Sequence, residues 1–212
     1  MNMKKISEGA ESIIYEGRLI GNSIIVKYRE NKRYRVKDLD ELVRKQRTKI
    51  EAKIQAFLYQ EGLNVPPIAI VGKYWIAMGY IEGDNLGKTI VDLKNAGEDG
   101  NILVEAMKKA GEQLGLIHLH GIVHGDFTPA NILIDKRGKI WVIDFGLAEF
   151  SKSEEERALD LLLMKRSVSR KQYDIFEKSY AKMLGNEAKE VIARMHKIER
   201  RGRYQTRTLV TS

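Results

Sequence analysis

The sequence predicts an α+β fold of two lobes, an antiparallel sheet with one long helix followed by a reduced, mainly helical lobe. Three observations predict it. Short apolar runs with turn signals fill the first third, one long stretch of helical periodicity interrupts them, and beyond Gly83 nearly everything except two short strands has helical spacing.

The elements follow in order. Apolar runs at 12–15 and 23–26 are separated by Gly17 and the turn signal Gly21-Asn22, as in an antiparallel meander. Asp38 opens a helix with acids in its first turn. Leu39, Leu42, Val43, Ile50, Ile54, Phe57 and Leu58 then recur at helical spacing up to Glu61-Gly62, with Pro66-Pro67 beyond. Strands resume at 68–71 and 74–80 around Gly72-Lys73, and 82–85 reads as a hinge. A helix over 102–118 presents Leu103, Met107, Ala110, Leu114 and Ile117 on one face. Strands at 132–134 and 140–143 flank a turn at 135–138. The stretch 154–198 reads as helix broken at Gly185-Asn186. The expected division is an N-lobe at 1–82, a C-lobe at 83–200 and a basic tail at 201–212.

The 212 residues, 43% apolar and 31% charged, suffice to bury a core in two small lobes. The absence of cysteine excludes a disulfide framework, a thiolate zinc site and a cysteine nucleophile. Neither a signal-peptide pattern nor an apolar run near the ~18 residues of a membrane span is present, so a soluble, cytoplasmic protein without a membrane partner is expected. The net charge of +8 is concentrated in two patches. Residues 27–53 hold 11 Lys/Arg against 5 Asp/Glu, and residues 194–207 hold 6 against 1. Such clusters suit a phosphate-bearing partner, nucleic acid included. In the tail, Arg200, Arg201, Arg203 and Arg207 are interleaved with Gly202, Tyr204 and Thr206, which favours phosphate contact and base stacking over a helix.

One constellation carries chemistry: His124-Gly-Asp-Phe-Thr-Pro-Ala-Asn131, then Ile143-Asp-Phe-Gly146. Phosphoryl transfer requires a carboxylate beside the attacking hydroxyl and ligands that hold magnesium on the ATP phosphates. In the protein-kinase pattern the base precedes a metal-binding Asn by five residues, and a second metal-binding Asp sits in a D-F-G turn. Asp126 is therefore the candidate catalytic residue, and Asn131 and Asp144 the candidate Mg2+ ligands. For ATP, Lys27 at the end of an apolar strand would contact the α/β phosphates, held by Glu51, with Glu41 as competitor. Backbone N–H groups of Gly9, Ala10, Glu11 and Ser12 would cap phosphate oxygens. Met78 would stand behind the adenine, with the backbone of Gly79 and Ile81 offered to its edge. His124 is expected to be structural, and His118, His120 and His196 core or surface residues. The fold expected is thus protein-kinase-like. With 68 residues beyond Asp144, no Ala-Pro-Glu anchor and Gly125 where kinases carry Arg, the chain should hold ATP well and position a protein hydroxyl poorly. Water or its own serines are then the default acceptors.

The ordered set Gly9-Ala-Glu-Ser12, Lys27-Tyr-Arg29, Tyr34-Arg35, Leu39-Asp40, Arg47-Thr-Lys-Ile-Glu-Ala52, His118-Leu-His-Gly-Ile-Val-His-Gly-Asp126, Asp144-Phe-Gly-Leu147 and Arg201-Gly-Arg-Tyr-Gln-Thr-Arg207 resembles the small atypical kinase of the KEOPS complex, the p53-related protein kinase (PRPK) family in its archaeal type. The resemblance spans essentially the full chain. It implies an Mg-ATP-dependent serine/threonine kinase and ATPase needed for threonylcarbamoyladenosine formation on ANN-decoding tRNAs. It also implies three partners: a large threonylcarbamoyl-transferring subunit on the C-lobe, a small regulatory subunit on the N-lobe, and tRNA. The chain departs from the family at Phe127-Thr-Pro-Ala130, where Leu-Thr-Thr-Ser is usual, and at Gly79, where an acid is common. The alternatives are a small-molecule phosphotransferase of the aminoglycoside or choline kinase type, and a nucleotide-binding scaffold. The first lacks its large helical insert, and the second is disfavoured by an intact set of Lys27, Asp126, Asn131 and Asp144.

Overall fold

A computed structural model describes residues 3–9, 12–32, 36–95 and 100–208, with side chains through Arg201. The exposed strand β1 (Lys4–Glu8) precedes β2 (Ile13–Leu19) and β3 (Asn22–Tyr28), which carry the apolar runs of the first third. Helix α1 (Lys37–Gln60) intervenes before β4 (Ile68–Val71) and β5 (Trp75–Gly79). The five strands make one antiparallel sheet in the order β1-β2-β3-β5-β4. Its register pairs Ile14 with Lys27, Lys27 with Ile76 and Ile25 with Met78. Because side chains alternate along a strand, Ile14, Ile25, Lys27, Ile76 and Met78 share one face. That face packs on α1 through Ala52, Ile76 and Met78, while Ile24, Val26 and Ala77 bury the opposite face.

The second lobe contains β6 (Gly83–Asn85), α2 (Leu86–Asn95), α3 (Asn101–Leu119), β7 (Ile122–Val123), β8 (Ile132–Asp135), β9 (Ile140–Val142), β10 (Glu149–Phe150), α4 (Glu154–Ser167), α5 (Arg170–Leu184) and α6 (Ala188–Thr208). The lower half of α1 and the segment after it join its core: Ile54 and Leu58, then Leu63 and Val65, cluster with Met107, Leu114, Phe127 and Phe145. The segment after α1 is also tied down, since the Val142 amide donates to the Asn64 carbonyl (2.9 Å) and the Asn64 amide to Gln113 Oε1 (3.2 Å). Helices α3 and α5 meet closely where α3 carries glycine. A Cβ on Gly111 would lie 2.3 Å from the Phe176 carbonyl oxygen, and one on Gly115 would lie 2.7 Å from Met183 Cβ.

Besides the unexpected short strands β1, β7 and β10, the elements depart from expectation in four places. The expected hinge at 82–85 contains strand β6, paired antiparallel to β8. Helix α2 was not expected, although Leu86, Ile90 and Leu93 recur at helical spacing and pack on the core. The long helix breaks at Val168 as well, where Ser169 and Gln172 form a reciprocal capping box that starts α5. Beyond Arg200 the chain continues as α6 to Thr208, against the expected coil. A lone Gly202 costs a helix about 1 kcal/mol, and the neighbouring Arg and Gln are good helix formers. The Gly111→Ala variant is expected to lower the thermal midpoint. Overpacking at the α3–α5 seam, about 1–3 kcal/mol, exceeds the roughly 1 kcal/mol gained in helix propensity; a midpoint at or above wild type would contradict the seam.

Candidate active site

Strand β3 delivers Lys27 to the sheet face that meets α1, and α1 delivers Glu51. Lys27 Nζ donates to Glu51 Oε1 at 2.8 Å, while Glu41, the other candidate, instead accepts from Lys73 and Tyr74 at the surface. Glu51 is 1% exposed and takes a second cation: Arg29, two residues along β3, reaches Glu51 Oε2 at 2.5 Å. Sequence reading missed Arg29. Its signal is the same period-two alternation that points Lys27 inward. On its far side Lys27 also meets Asp144 Oδ1 at 2.6 Å. Partial burial pushes the Asp144 carboxyl up, but the Lys27 charge and hydrogen bond, with the Gly146 amide, outweigh it and hold the group below the usual carboxylate range.

The catalytic-loop segment is built on a short 3-10 turn at Pro129–Asn131, where Pro129 presets the first residue. Both protons of Asn131 Nδ2 go to Asp126, one to Oδ2 (2.8 Å) and one to the carbonyl (2.9 Å). These two acceptors fix the amide's orientation and leave the lone pairs of Asn131 Oδ1 for a cation. The β8–β9 hairpin returns the chain so that the Ile143 amide donates to the Asn131 carbonyl (3.0 Å), which sets Asp144 next to Asn131. Asp144 itself adopts a left-handed φ of 62°, a conformation Asp tolerates better than most residues.

Below this loop lies an arrangement the sequence did not reveal. Asp160 on α4, fully buried, accepts from the amides of His124 (2.7 Å) and Gly125 (2.9 Å). Buried His118 joins it through Nε2 (3.2 Å), and His118 Nδ1 faces the Tyr180 hydroxyl (2.9 Å). Burial holds His118 below the ordinary imidazole range, against the pull of Asp160. A neutral ring with Nε2–H donating to the carboxylate satisfies both contacts. His124 is structural, as expected: it packs on Phe127 and Phe145, Nε2 meets the Ile143 carbonyl, and Nδ1 accepts from the Asp126 amide. Gly125 has φ 77°, and a Cβ there would stand 2.5 Å from the Leu147 carbonyl oxygen, so the Arg of ordinary kinases does not fit this backbone.

Lys27, Glu51, Met78, Gly79, Ile81, Asn131 and Asp144 all line one cleft of about 310 Å³, whose apolar walls include Ile14, Ile25, Leu133 and Ile143. Asp126 lies beside it through Asn131. Gly9 and Ser12 close a turn on each other at 2.9 Å without lining the cleft, and Ala10 and Glu11 lie outside the described residues. The Gly79 amide is not offered to the cleft, because it donates to the Pro67 carbonyl at 2.9 Å. Its carbonyl and the Ile81 backbone are the groups left for a ligand edge. Arg200 and Arg201 are exposed on α6, remote in sequence from these elements, and the side chains of Arg203 and Arg207 lie outside the described residues. Among the described residues no group of three or more His, Asp or Glu could hold a metal ion. The donor set is instead the Asn131 oxygen and the Asp144 oxygen that Lys27 does not engage. One carboxylate and one amide fit Mg2+ held jointly with substrate phosphates.

A buried Lys–Glu pair, a D-F-G turn and an Asp–Asn loop around one interlobe cleft define a protein-kinase-like site. Comparison with known proteins agrees. The protein kinase domain family matches residues 2–174. The KEOPS complex subunit Bud32 of Pyrococcus abyssi is 35% identical over 225 residues, covering 99% of this chain and all of that protein. Probable bifunctional tRNA threonylcarbamoyladenosine biosynthesis proteins of Methanococcus maripaludis and Methanobrevibacter smithii are 35% and 33% identical over 94% of this chain, which spans 36% of their length. The crystal structure of a Rio2 kinase-ADP/Mg2+-phosphoaspartate complex from Chaetomium thermophilum shares the fold, with TM-score 0.57 and 18% identity over 92% of this chain and 66% of that one. The chain belongs to the protein kinase domain family, as a member of its KEOPS Bud32 group.

The buried His118 sets an expected pH dependence. Because its pKa is lowered from 6.5 in the folded protein, the unfolded chain binds the extra proton as pH falls through that value, so stability is full above the window and declines below it. Urea midpoints measured between about pH 7.5 and pH 5 are expected to fall in the wild type and to change less in His118→Gln. Equal slopes in the two proteins would assign the acid sensitivity elsewhere.

Proposed function

We propose that this protein is an Mg-ATP-dependent atypical serine/threonine kinase and ATPase that works in the cytoplasm as the kinase-like subunit of a KEOPS-type assembly, required for threonylcarbamoyladenosine formation on ANN-decoding tRNAs. The observation that carries the enzymatic part is the line Glu51–Lys27–Asp144 meeting the Asn131–Asp126 pair beside an apolar cleft. Lys27 holds the α/β phosphates of ATP, with Glu51 fixing its ammonium. Met78 backs the base, and the Gly79 carbonyl and Ile81 backbone meet its edge. Asn131 Oδ1 and Asp144 hold Mg2+, which when bound neutralises charge on the transferring phosphoryl group. Asp126, its carboxylate anchored by Asn131, orients the attacking water or hydroxyl and takes its proton as the bond to the γ-phosphorus forms and the bond to ADP breaks.

Water is the default acceptor. Helix α4 begins at Glu154, and β10 is already paired with β7, so the segment after the D-F-G turn is short and committed. The assembly rests on the full-length match to a KEOPS subunit and on the bifunctional relatives that carry this module with a longer remainder. In our reading residues 1–82 face the small regulatory subunit, 83–200 face the large threonylcarbamoyl-transferring subunit, and Arg200, Arg201, Arg203 and Arg207 contact tRNA. Among the described residues no helix is long and apolar enough to cross a membrane.

Two experiments test this reading. With γ-labelled ATP, free phosphate is expected to exceed labelled protein. Asp126→Asn should lower turnover by about 10²–10⁴-fold, and Asp144→Ala should remove the magnesium dependence; undiminished turnover in both variants would overturn the roles. Deleting 201–212 removes Arg201, Arg203 and Arg207, and the salt slope of tRNA binding should drop by roughly 2–3. An unchanged slope would leave the tail no part in tRNA contact.

A further inference from the structure

Helix α1 turns a stripe of Thr48, Glu51, Gln55 and Leu58 inward, each at most 1% exposed. Spacing of three and four residues puts them on one face. Glu51 is accounted for by its two cations and Leu58 by the core. Gln55 is not: an amide without exposure is costly unless its hydrogen bonds are met, and an apolar residue would fill the place at less risk. Its Nε2 donates one bond to the Pro66 carbonyl (2.7 Å) and lies 3.6 Å from the thioether of Met78, within reach of a weak N–H···S bond. Pro66 and Met78 both line the cleft, whereas Gln55 stands behind them. The next carbonyl, that of Pro67, receives the Gly79 amide, and a Cβ on Gly79 would stand 2.9 Å from the Pro67 ring. Two rigid prolines therefore tie α1 to both residues at the end of β5.

We infer that Gln55 is a positioning residue that sets the base end of the nucleotide pocket, pinning the Met78 side chain so that the pocket closes behind a purine base without room for a bulky exocyclic substituent. This inference rests on the nucleotide reading of the cleft. It extends that reading by assigning base selectivity to a side chain that touches no nucleotide. One amide thereby links the helix bearing Glu51 to the strand that meets the base.

The test compares wild type, Gln55→Met, Met78→Leu and the double variant, using ATP and N6-benzyl-ATP, with the thermal midpoint and active fraction measured for each. Gln55→Met keeps the volume and removes the donors. It is expected to raise KM for ATP about three- to tenfold, to leave kcat within about twofold, and to shift the ATP to N6-benzyl-ATP selectivity ratio toward the analogue. The double variant should show no further selectivity change beyond Met78→Leu, because the sulfur that Gln55 pins is gone. If the wild type uses ATP saturably and Gln55→Met retains both its KM and its selectivity ratio, the inference is overturned while the nucleotide reading stands. A loss of active fraction with an unchanged ratio also overturns it, since a purely structural amide would do that. If the wild type neither binds nor turns over ATP, the nucleotide reading falls and takes the inference with it. Met78→Leu supplies the same ratio readout should Gln55→Met fold poorly: a ratio equal to that of the wild type would overturn the role of a pinned Met78.

Discussion

A carboxylate sealed from water governs the arrangement of the cleft. An unpaired carboxylate at the Glu51 position would carry a desolvation cost of several kcal/mol, and Glu51 is paired with Lys27 on one oxygen and Arg29 on the other. The two cations are not equivalent. Lys27 is shared with half-exposed Asp144, whereas Arg29 is itself buried and its backbone carbonyl accepts from Arg44, which in turn pairs with Asp40 near the start of α1. Glu51 therefore keeps a counter-ion whichever oxygen Lys27 serves. A connected series of contacts runs from Asp40 through Arg44, the Arg29 carbonyl, Glu51 and Lys27 to Asp144, fastening the helix to the sheet at two levels. Displacing α1 would expose or orphan several of these groups together, so its placement is a property of the fold.

The second lobe solves a similar problem with backbone instead of side chains. Asp160 gathers the amides of His124 and Gly125 and the imidazole of His118 in a site without exposure. The carboxylate gains its partners from groups that have few others, and the loop preceding Asp126 gains a fixed path. Phe127, buried against His124 and Phe176, prevents that loop from rotating about the anchor. Asn131 then orients the Asp126 carboxylate itself. The loop's geometry thus depends on α4, which lies after it in the chain, and no pattern within residues 124–131 discloses that dependence.

This explains what was readable beforehand. Strands β2 to β5, α1, α3 and the β8–β9 hairpin follow from apolar period and turn residues, and the grouping of Asp126, Asn131 and Asp144 follows from their spacing within the protein-kinase pattern. Lys27 was marked among its charged neighbours by its place at the end of an apolar strand, whereas Glu51 kept Glu41 as a competitor until the structure put Glu51 on the inward face of α1 and Glu41 at the surface. Arg29, Asp160 and Gln55 were hidden for a common reason: each is polar, buried and satisfied by a partner distant in sequence, such as the 22 residues between Arg29 and Glu51 or the 36 between His124 and Asp160. Local composition assigns such residues to the surface. The Gly79 amide is taken by the Pro67 carbonyl across the sheet edge, which leaves the carbonyl as the backbone group that residue can offer. The continuation of α6 past Arg200 shows composition misleading in the other direction, with arginines read as a loop where their propensity supports a helix.

Gly125 decides how the segment after the D-F-G turn is held. Where a kinase controlled by its activation loop places an arginine to receive a phosphate, this backbone has φ 77° and the Leu147 carbonyl in the space of the first side-chain atom. No substituent fits without moving one chain or the other. The contact that a phosphate would bridge elsewhere is here made directly, backbone on backbone, and is extended by the pairing of Glu149 with Val123 and Phe150 with Ile122. Order in this segment is therefore supplied by close packing and strand pairing, neither of which responds to a change of charge. A site ordered in that way has Lys27, Asp126, Asn131 and Asp144 brought together without a phosphorylation step. Among the described residues it also lacks a long segment after the D-F-G turn from which a peptide platform could be built, which supports the proposed preference for water over a protein hydroxyl.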